Sequence, residues 1–411
     1  MSDMEVREVR LGDIITYNKG YAFKSNEYTN KGKMVVRVTD FTLDSISEKE
    51  AVYIIPDDKY RKFIINKDDI LIQTVGSWGN NPKSIVGKVV RVPEKCDNAY
   101  LNQNIVRIIP NKDFNNTYLY YALKANKFSM YCVIRGQGAA NQASITLDTI
   151  FKFKFRIHNF SEQKKIADIL SVYDNLIENN NKRIKLLEQM VENLYKEWFV
   201  RFRFPGYEDT EFEDGMPRGW VREKIGLHYN TCSGGTPSRK HEEYYTEGTI
   251  PWVKTGEIKD GIIIHTDECI TEAGIKGSSA KLLPQGAVVM AMYGVNIGML
   301  AYLDSEMTCN QACCVFNDKN EINSRHYLFH YLYSIRDYLL LIGFGAAQQN
   351  LSQDLIKKVK IVIPPAELIK EFDKQKEPLY QTIRALMMQN DKLIKQRDAL
   401  LPRLMSGKLE V

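Results

Sequence analysis

Between Ile166 and Trp198 the apolar positions advance in steps of four and three: Ile166, Leu170, Tyr173, Ile177, then the polar Asn180, then Ile184, Leu187, Val191, Leu194 and Trp198. A seam this regular, with charge concentrated off it, predicts one long helix with a single buried stripe. Ser161 followed by Glu162 and Gln163 marks its start and Pro205-Gly206 its stop. About 40 helical residues at 1.5 Å each span roughly 60 Å. Such a helix needs a partner for its seam, and a second segment after Pro364-Pro365 supplies one, with Leu379, Ile383, Leu386, Asn390, Leu393, Leu400 and Leu404 at similar spacing. Arg397 interrupts that second seam. Pro402 is expected to kink or end its helix, and Ser406-Gly407 to stop it.

Outside the helices the pattern changes to short alternating runs, the mark of strands. They fall at Met34–Val38, Ile70–Val75, Val86–Val92, Ile105–Ile109 and Phe151–Ile157, and again at Ile250–Val253, Ala287–Met292, Met299–Leu303, Ala312–Phe316 and Val359–Ile363. One amphipathic helix interrupts each set, near Thr117–Lys127 and Arg325–Leu340. Other features recur with the strands. Gly136-Gln137-Gly138-Ala139-Ala140-Asn141-Gln142 is answered by Gly343-Phe344-Gly345-Ala346-Ala347-Gln348-Gln349, Asn102-Gln103 by Asn310-Gln311, and Gly76 by Gly294. The chain is therefore a duplicated module. The expected fold is α+β: two mixed-sheet modules separated by two long helices that form an antiparallel coiled coil, with a pseudo-two-fold internal repeat. The expected segments are a first module over 1–160, a central helix over 161–204, a second module over 205–363 and a C-terminal helix over 364–411. Asn180 and Asn390 are equivalent under the repeat and both lie on the seam, where an Asn sets register at a cost in stability. The other reading places each in solvent at a rotated point of its helix.

Composition narrows the class. The chain has 411 residues, 44% of them hydrophobic and 26% charged, with a net charge of +5. Each module is long enough to bury its own core. No apolar run approaches a membrane span, and the N-terminus lacks a secretory layout. The seven cysteines are scattered without a CxxC pair, which suits reduced thiols in a cytoplasm.

The loops collect Gly, Asn, Gln, Ser and Thr. Asn and Gln match adenine edges, Arg matches guanine or phosphate, and aromatics stack or wedge. The candidate DNA-contacting residues are Thr74, Ser77, Trp78, Asn80, Arg135, Gln137, Asn141 and Gln142 in the first copy. In the second they are Gly235, Thr236, Ser238, Arg239, Lys254, Thr255, Glu257, Tyr293, Asn296, Gln348, Gln349 and Asn350. Ordinary turn chemistry explains many such residues in any protein; recurrence at matching places in two diverged copies favours a functional role.

Catalytic signatures are missing. There is no phosphate-binding GxxxxGK[ST] loop, and Pro364-Pro365 is followed by Ala366, unlike the amino-methyltransferase motif. His326 and His330 stand four apart but Tyr327, Leu328 and Phe329 between them supply no metalloprotease Glu. Cys309, Cys313 and Cys314 suit buried small hydrophobes. No catalytic residue, metal or cofactor is expected. Glu257-Ile258-Lys259 has the carboxylate-x-Lys spacing of some nucleases, so a nuclease, or a fused restriction enzyme, is one rival reading. A helical interaction scaffold is another.

The ordered stretches Ser233-Gly234-Gly235-Thr236-Pro237-Ser238, Ile250-Pro251-Trp252-Val253-Lys254-Thr255-Gly256-Glu257-Ile258, Glu162-Gln163-Lys164-Lys165-Ile166-Ala167 and Leu400-Leu401-Pro402-Arg403-Leu404-Met405-Ser406-Gly407-Lys408 resemble the specificity subunit of Type I restriction-modification enzymes over essentially the full length. The first copy departs from the pattern, with Val35-Val36-Arg37-Val38-Thr39-Asp40 in place of the Pro-Trp-Val form and no clear Gly-Gly-Thr-Pro loop. The resemblance implies a subunit without its own chemistry, whose two target recognition domains each read one half of a split, asymmetric double-stranded DNA sequence. It implies that the paired helices set the spacer and dock two methyltransferase subunits, with restriction-translocase subunits joining through the complex.

Overall fold

The computed structural model describes residues 7–78, 84–125, 127–138, 142–319, 324–343 and 350–411. The chain divides into two compact units, Met1–Ile177 with Leu393–Val411, and Glu178–Lys392.

The first unit is built on an antiparallel sheet in the order Ile15–Lys19, Ile105–Pro110, Ile70–Gln73, Val89–Arg91. Every residue of Ile70–Gln73 is buried. Successive side chains of a strand point to opposite faces, so this strand feeds two cores. Ile70 and Ile72 join Tyr118, Leu119, Leu123 and Leu170, while Leu71 joins Met34, Val36, Val90 and Leu101. A second, mixed sheet runs Val52–Ile54, Lys33–Val36, Ala99–Leu101, Ile64–Ile65, with Lys33–Val36 parallel to Ala99–Leu101. Leu401, Leu404 and Met405, from the end of the C-terminal helix, complete the larger core.

The second unit repeats the plan. Tyr229–Ser233, Cys313–Asp318, Val288–Ala291 and Leu300–Leu303 follow the same antiparallel order, and Gly261–Ile263 adds a parallel edge strand. Val288 and Met290 enter one core while Val289 and Ala291 enter another. Ile250–Val253 lies parallel to Thr308–Cys309, as Lys33–Val36 does to Ala99–Leu101.

Two features depart from the sequence expectation. Each module carries two consecutive helices instead of one: Asn116–Ala125 and Phe128–Arg135, then Arg325–Ser334 and Arg336–Gly343. In the first module the second helix follows Lys127, whose left-handed φ of 51° turns the chain without a Gly or Pro to announce it. Phe151 ends a short helix, Leu147–Phe151, and its strand begins only at Lys154.

The central helix runs Phe160–Tyr195 and closes in a π-turn over Lys196–Val200, where Arg201 N donates to Lys196 O at 2.8 Å. The wider turn lets the consecutive Trp198 and Phe199 both bury, against Trp220 and Phe372. The C-terminal helix runs Ala366–Met405. It passes through an exposed Pro378 that the apolar pattern does not flag, and stops within a turn of Pro402. The seam positions from Ile166 to Trp198 are all buried or half-buried. The helices run antiparallel: in the second unit Asn180 meets Asn390, and in the first Asp174, earlier in one helix, meets Arg397, later in the other.

Candidate nucleic-acid interface

In the first unit three polar loops converge. Val75–Gly76 pairs antiparallel with Ala143–Ser144, and Gln137 exchanges two backbone hydrogen bonds with Ser144, both 2.8 Å. Thr74 Oγ1 donates to Asn104 O at 2.9 Å while Thr74 O accepts from Ile145 N. Ser77 holds the loop through backbone bonds with Ser84 and Val86. Trp78 packs half-buried against the core. Arg135 is exposed, its guanidinium 4.2 Å from the centre of the Tyr131 ring, and the side chains of Gln137 and Gln142 face solvent. Asn80 and Asn141 lie outside the described residues.

In the second unit Arg239, Lys254, Thr255, Glu257 and Asn296 form one connected set. Glu257 ends a short turn over Thr255–Glu257, and its carboxylate accepts from Lys254 N and Asp267 N, both at 2.7 Å. Asn296 Nδ2 lies 3.1 Å from Thr255 O, 3.2 Å from Gly256 O and 3.0 Å from Ile258 O, tying the Tyr293–Gly298 turn to the Thr255 turn. Arg239 donates to Glu268 at 2.5 Å and lies 4.1 Å from the Tyr245 ring centre. Lys254 Nζ reaches the other oxygen of Glu268 at 3.3 Å. Burial would raise the Glu268 pKa, but the hydrogen bonds from Arg239 and Lys254 outweigh it and hold the carboxyl below its ordinary value. Thr236 donates to Gln311. Ser238, Tyr293 and Asn350 are exposed. Gly235 is buried: its carbonyl accepts from Trp252 Nε1 at 3.0 Å, and a Cβ there would stand 2.3 Å from Ala280 N. Its part is to bring the loop close to the sheet. Gln348 and Gln349 lie outside the described residues.

The two units carry the same loop frame under different letters. Gly20 and Gly234 each press against a strand end, so that an added Cβ would lie 1.9 Å from Asn102 O or Cys309 O. The next residues, Tyr21 and Gly235, donate to Leu101 O and Cys309 O at 2.8 and 2.9 Å. Asp40 accepts from Arg37 N at 2.8 Å as Glu257 does from Lys254 N. Asn102 N donates to Val36 O, and Asn310 N to Val253 O.

A sequence profile described as the Type I restriction modification DNA specificity domain matches residues 1–189 and 219–391. The chain belongs to this family. A relative in Methanocaldococcus jannaschii, the Type I restriction enzyme MjaIX specificity subunit, is 28% identical over 319 residues, covering 75% of this chain and 73% of that protein. The HindI specificity subunit of Haemophilus influenzae is 23% identical over 473 aligned positions that cover both chains fully. A crystal structure of the Type I restriction-modification system S subunit from M. genitalium shares the fold, with a TM-score of 0.60 at 16% identity over 98% of this chain and 97% of that one.

Within the two specificity domains, sequence reasoning missed Gln73, Glu268 and Gln311. Gln73 is fully buried, and its Nε2 donates to Val75 O at 2.8 Å and Ser84 O at 2.9 Å, stapling the base of the first-domain loop. An Asn-Gln pair at each strand end was a visible repeat, and it pointed to Gln311. Nothing local marks Glu268. Glu257 has a structural part in the turn, each of its carboxylate oxygens accepting from one backbone N–H group. Among the described residues no group of three or more His, Cys, Asp or Glu side chains is arranged to hold a metal ion.

Proposed function

We propose that the chain is a non-catalytic DNA sequence-specificity subunit of a Type I restriction-modification complex. Each specificity domain reads one half of a bipartite, asymmetric target, and the long helices set the number of base pairs between the halves. The observation that carries this reading is the shared loop frame. The backbone geometry repeats in both domains while the side chains presented on it differ, Tyr21, Lys24 and Ser25 after Gly20 in one and Gly235, Ser238 and Arg239 after Gly234 in the other. Equal frames with unequal side chains suit two readers of unequal sequences. Exposed polar side chains discriminate base edges, and Lys and Arg contacts to phosphate add a salt-sensitive, sequence-independent share of the affinity.

The partners in this reading are double-stranded DNA, two methyltransferase subunits and, through the complex, restriction-translocase subunits, in a cytoplasm. The outer face of the central helix supports helix docking. Ile169, Val172 and Leu176 stand 37–55% exposed at steps of three and four, and after a break at the polar Asn179 and Arg183, Leu186 and Met190 stand four apart at 59% and 55%. A stripe at that period suits the apolar face of another helix.

Co-purification with the methyltransferase followed by binding to a randomised duplex library tests the proposal. The expected outcome is one split sequence with a fixed gap. Equal retention of all duplexes across salt concentrations would sink it. Exchange of residues 1–160 for those of a relative should change one half of the target and leave the other.

A further inference from the structure

The second specificity domain holds a cavity of about 220 Å³ between the two long helices and the sheet. Its wall is aromatic: Tyr302, Phe329, Tyr333 and Tyr380, with Tyr302 and Phe329 stacked at 4.4 Å between centroids. One buried amine stands in this wall. Lys376 is 3% exposed, and its Nζ lies 2.5 Å from Tyr302 OH. Among the described residues Lys376 has no ion-pair partner. The neighbouring His330 is 8% exposed, and its Nε2 is buried without a hydrogen-bond partner.

The internal repeat indicates that neither group is a packing necessity. The spacing of 210 that relates Asn180 to Asn390 also relates Ile166 to Lys376. Ile166 is an ordinary core residue, 1% exposed. Tyr118-Leu119-Tyr120-Tyr121 corresponds to Tyr327-Leu328-Phe329-His330, so His330 stands where the first domain has Tyr121. There the polar groups are mutually satisfied: Tyr121 OH donates to Asp174, which also binds Arg397 at 2.6 Å. The second domain has replaced an apolar residue and a satisfied tyrosine with a buried amine and a buried imidazole, beside open space. A buried charge without a partner is costly, and a ligand can supply the missing partner.

We propose that this cavity is a binding site for a small planar aromatic acid, whose ring lies among the four aromatic side chains and whose carboxylate meets Lys376 Nζ. An apolar protein cavity of about 150 Å³ accepts benzene, so this one has room for a substituted ring. The carboxylates at the mouth do not present a uniform negative field. Asp260 is bound by Arg336 at 3.0 Å and Glu192 by Lys196 at 2.5 Å, while burial, then the neighbouring Asp260 charge, raises the Glu188 pKa and so favours its neutral form.

The chemistry gives the site a signature. Burial, ahead of the opposing pull of Asp373, holds the Lys376 amine well below its ordinary pKa. The other groups facing it are Arg325, His326 and His330 from the preceding helix, Tyr302 from the sheet, and Glu377 and Tyr380 on its own helix. A bound carboxylate stabilises the ammonium, so binding takes up a proton. Affinity therefore rises as pH falls, over the range where the acid remains ionised and the domain folded.

Calorimetric titration of the full-length protein with benzoate, and with benzamide as its neutral isostere, tests this. Benzoate should bind saturably and at least tenfold tighter than benzamide, with proton uptake seen as a dependence of the heat on buffer ionisation enthalpy. Lys376→Met should abolish the preference and the proton uptake, while Lys374→Met, at an exposed lysine of the same helix outside the lining, should leave both. Equal affinity for the two probes, binding without proton uptake, or no binding of either at millimolar concentration would overturn the proposal, and the comparison in unaltered protein stands even if the Lys376 variant misfolds.

Discussion

Asn180 Nδ2 donates to Asn390 Oδ1 at 2.9 Å, and Asn390 Nδ2 in turn donates to Asn181 Oδ1 at 2.9 Å. Repeat-equivalent residues thus bond to each other where the two helices cross, 4% and 7% exposed. A bond between equivalent positions forms only at a pseudo-dyad, so one register of the antiparallel pair satisfies both amides. Asn390→Leu should cost about 1 kcal/mol, because it removes one of the two acceptors of the buried Asn180 amide, Gln389 Oε1 at 3.0 Å remaining, and the donor to Asn181. The double variant Asn180→Leu with Asn390→Leu should regain wild-type stability or exceed it, at the expense of unique register. Urea unfolding midpoints check this: a double variant no better than the single would show that the pair acts through something other than mutual satisfaction.

Gly20 and Gly234 should be intolerant of a methyl group, since a Cβ would stand 1.9 Å from a backbone carbonyl in each case. Gly20→Ala and Gly234→Ala should each cost about 1–3 kcal/mol or more through overpacking. Gly256 has no atom within 4 Å of an added Cβ, and Gly256→Ala is the internal control, expected to leave the melting temperature unchanged. Thermal scans of the three variants decide it.

These glycines also show what the sequence disclosed and what it hid. The heptad seam was legible because a long helix with one buried stripe admits a single period, and its polar member Asn180 proved buried with the rest. Duplication was legible from the Gly-rich repeats. The loop frame of the first domain was not. Gly20-Tyr21 performs the close approach of Gly234-Gly235 with one glycine: the first position presses on a backbone carbonyl in both domains, whereas the second is closed in the second domain, by Ala280 N and Ser279, and takes a tyrosine in the first. Arg37 to Asp40 repeats the cation-x-x-carboxylate turn of Lys254 to Glu257 with no identical letter. Glu268 was invisible because it lies 29 residues from Arg239, and only the tertiary fold joins them. The helix break at Lys127 likewise carries no Gly or Pro signal.

The second domain should be acid-sensitive well above the carboxylate range. Burial, with Lys376 and Arg325 adding to it against the hydrogen bond to Glu377, lowers the His326 pKa to about 3, and burial also holds His330 well below its ordinary value. An unfolded histidine titrates at about 6.5. Between that value and the folded one, the unfolded chain binds a proton that the folded chain does not. The stability from each histidine is therefore complete above about pH 6.5 and falls as pH falls, by up to about 1.4 kcal/mol per pH unit per group. The hydrogen bond from His326 lowers Glu377 to about 2, which adds a loss in the same direction only below its ordinary 4.5. Urea midpoints measured from pH 7 to pH 5 should decline, and His326→Gln combined with His330→Phe should flatten the decline. An unchanged slope in the double variant would assign the acid sensitivity elsewhere.

Arg239 and Glu268 provide the sharpest test of how the second domain reads DNA. Arg239 is 57% exposed at the side chain, lies over Tyr245, and is steered by Glu268, which also holds Lys254. If Arg239 contacts a base edge, Arg239→Ala should lower affinity for the cognate duplex by about 1–3 kcal/mol and relax preference at one position of one half-site. If it contacts phosphate alone, the loss should fall equally on all sequences and reduce the salt slope by about one counterion. Glu268→Gln separates contact from steering. It leaves Arg239 present but removes the carboxylate that fixes it, so binding should weaken less than in Arg239→Ala while discrimination at the same position declines. Competition binding with the methyltransferase complex, using duplexes changed singly in each half-site, distinguishes the outcomes. A Glu268→Gln variant that binds every duplex more tightly, with discrimination intact, would mean that this carboxylate only masks positive charge and that the Arg239–Glu268 pair takes no part in selecting the base.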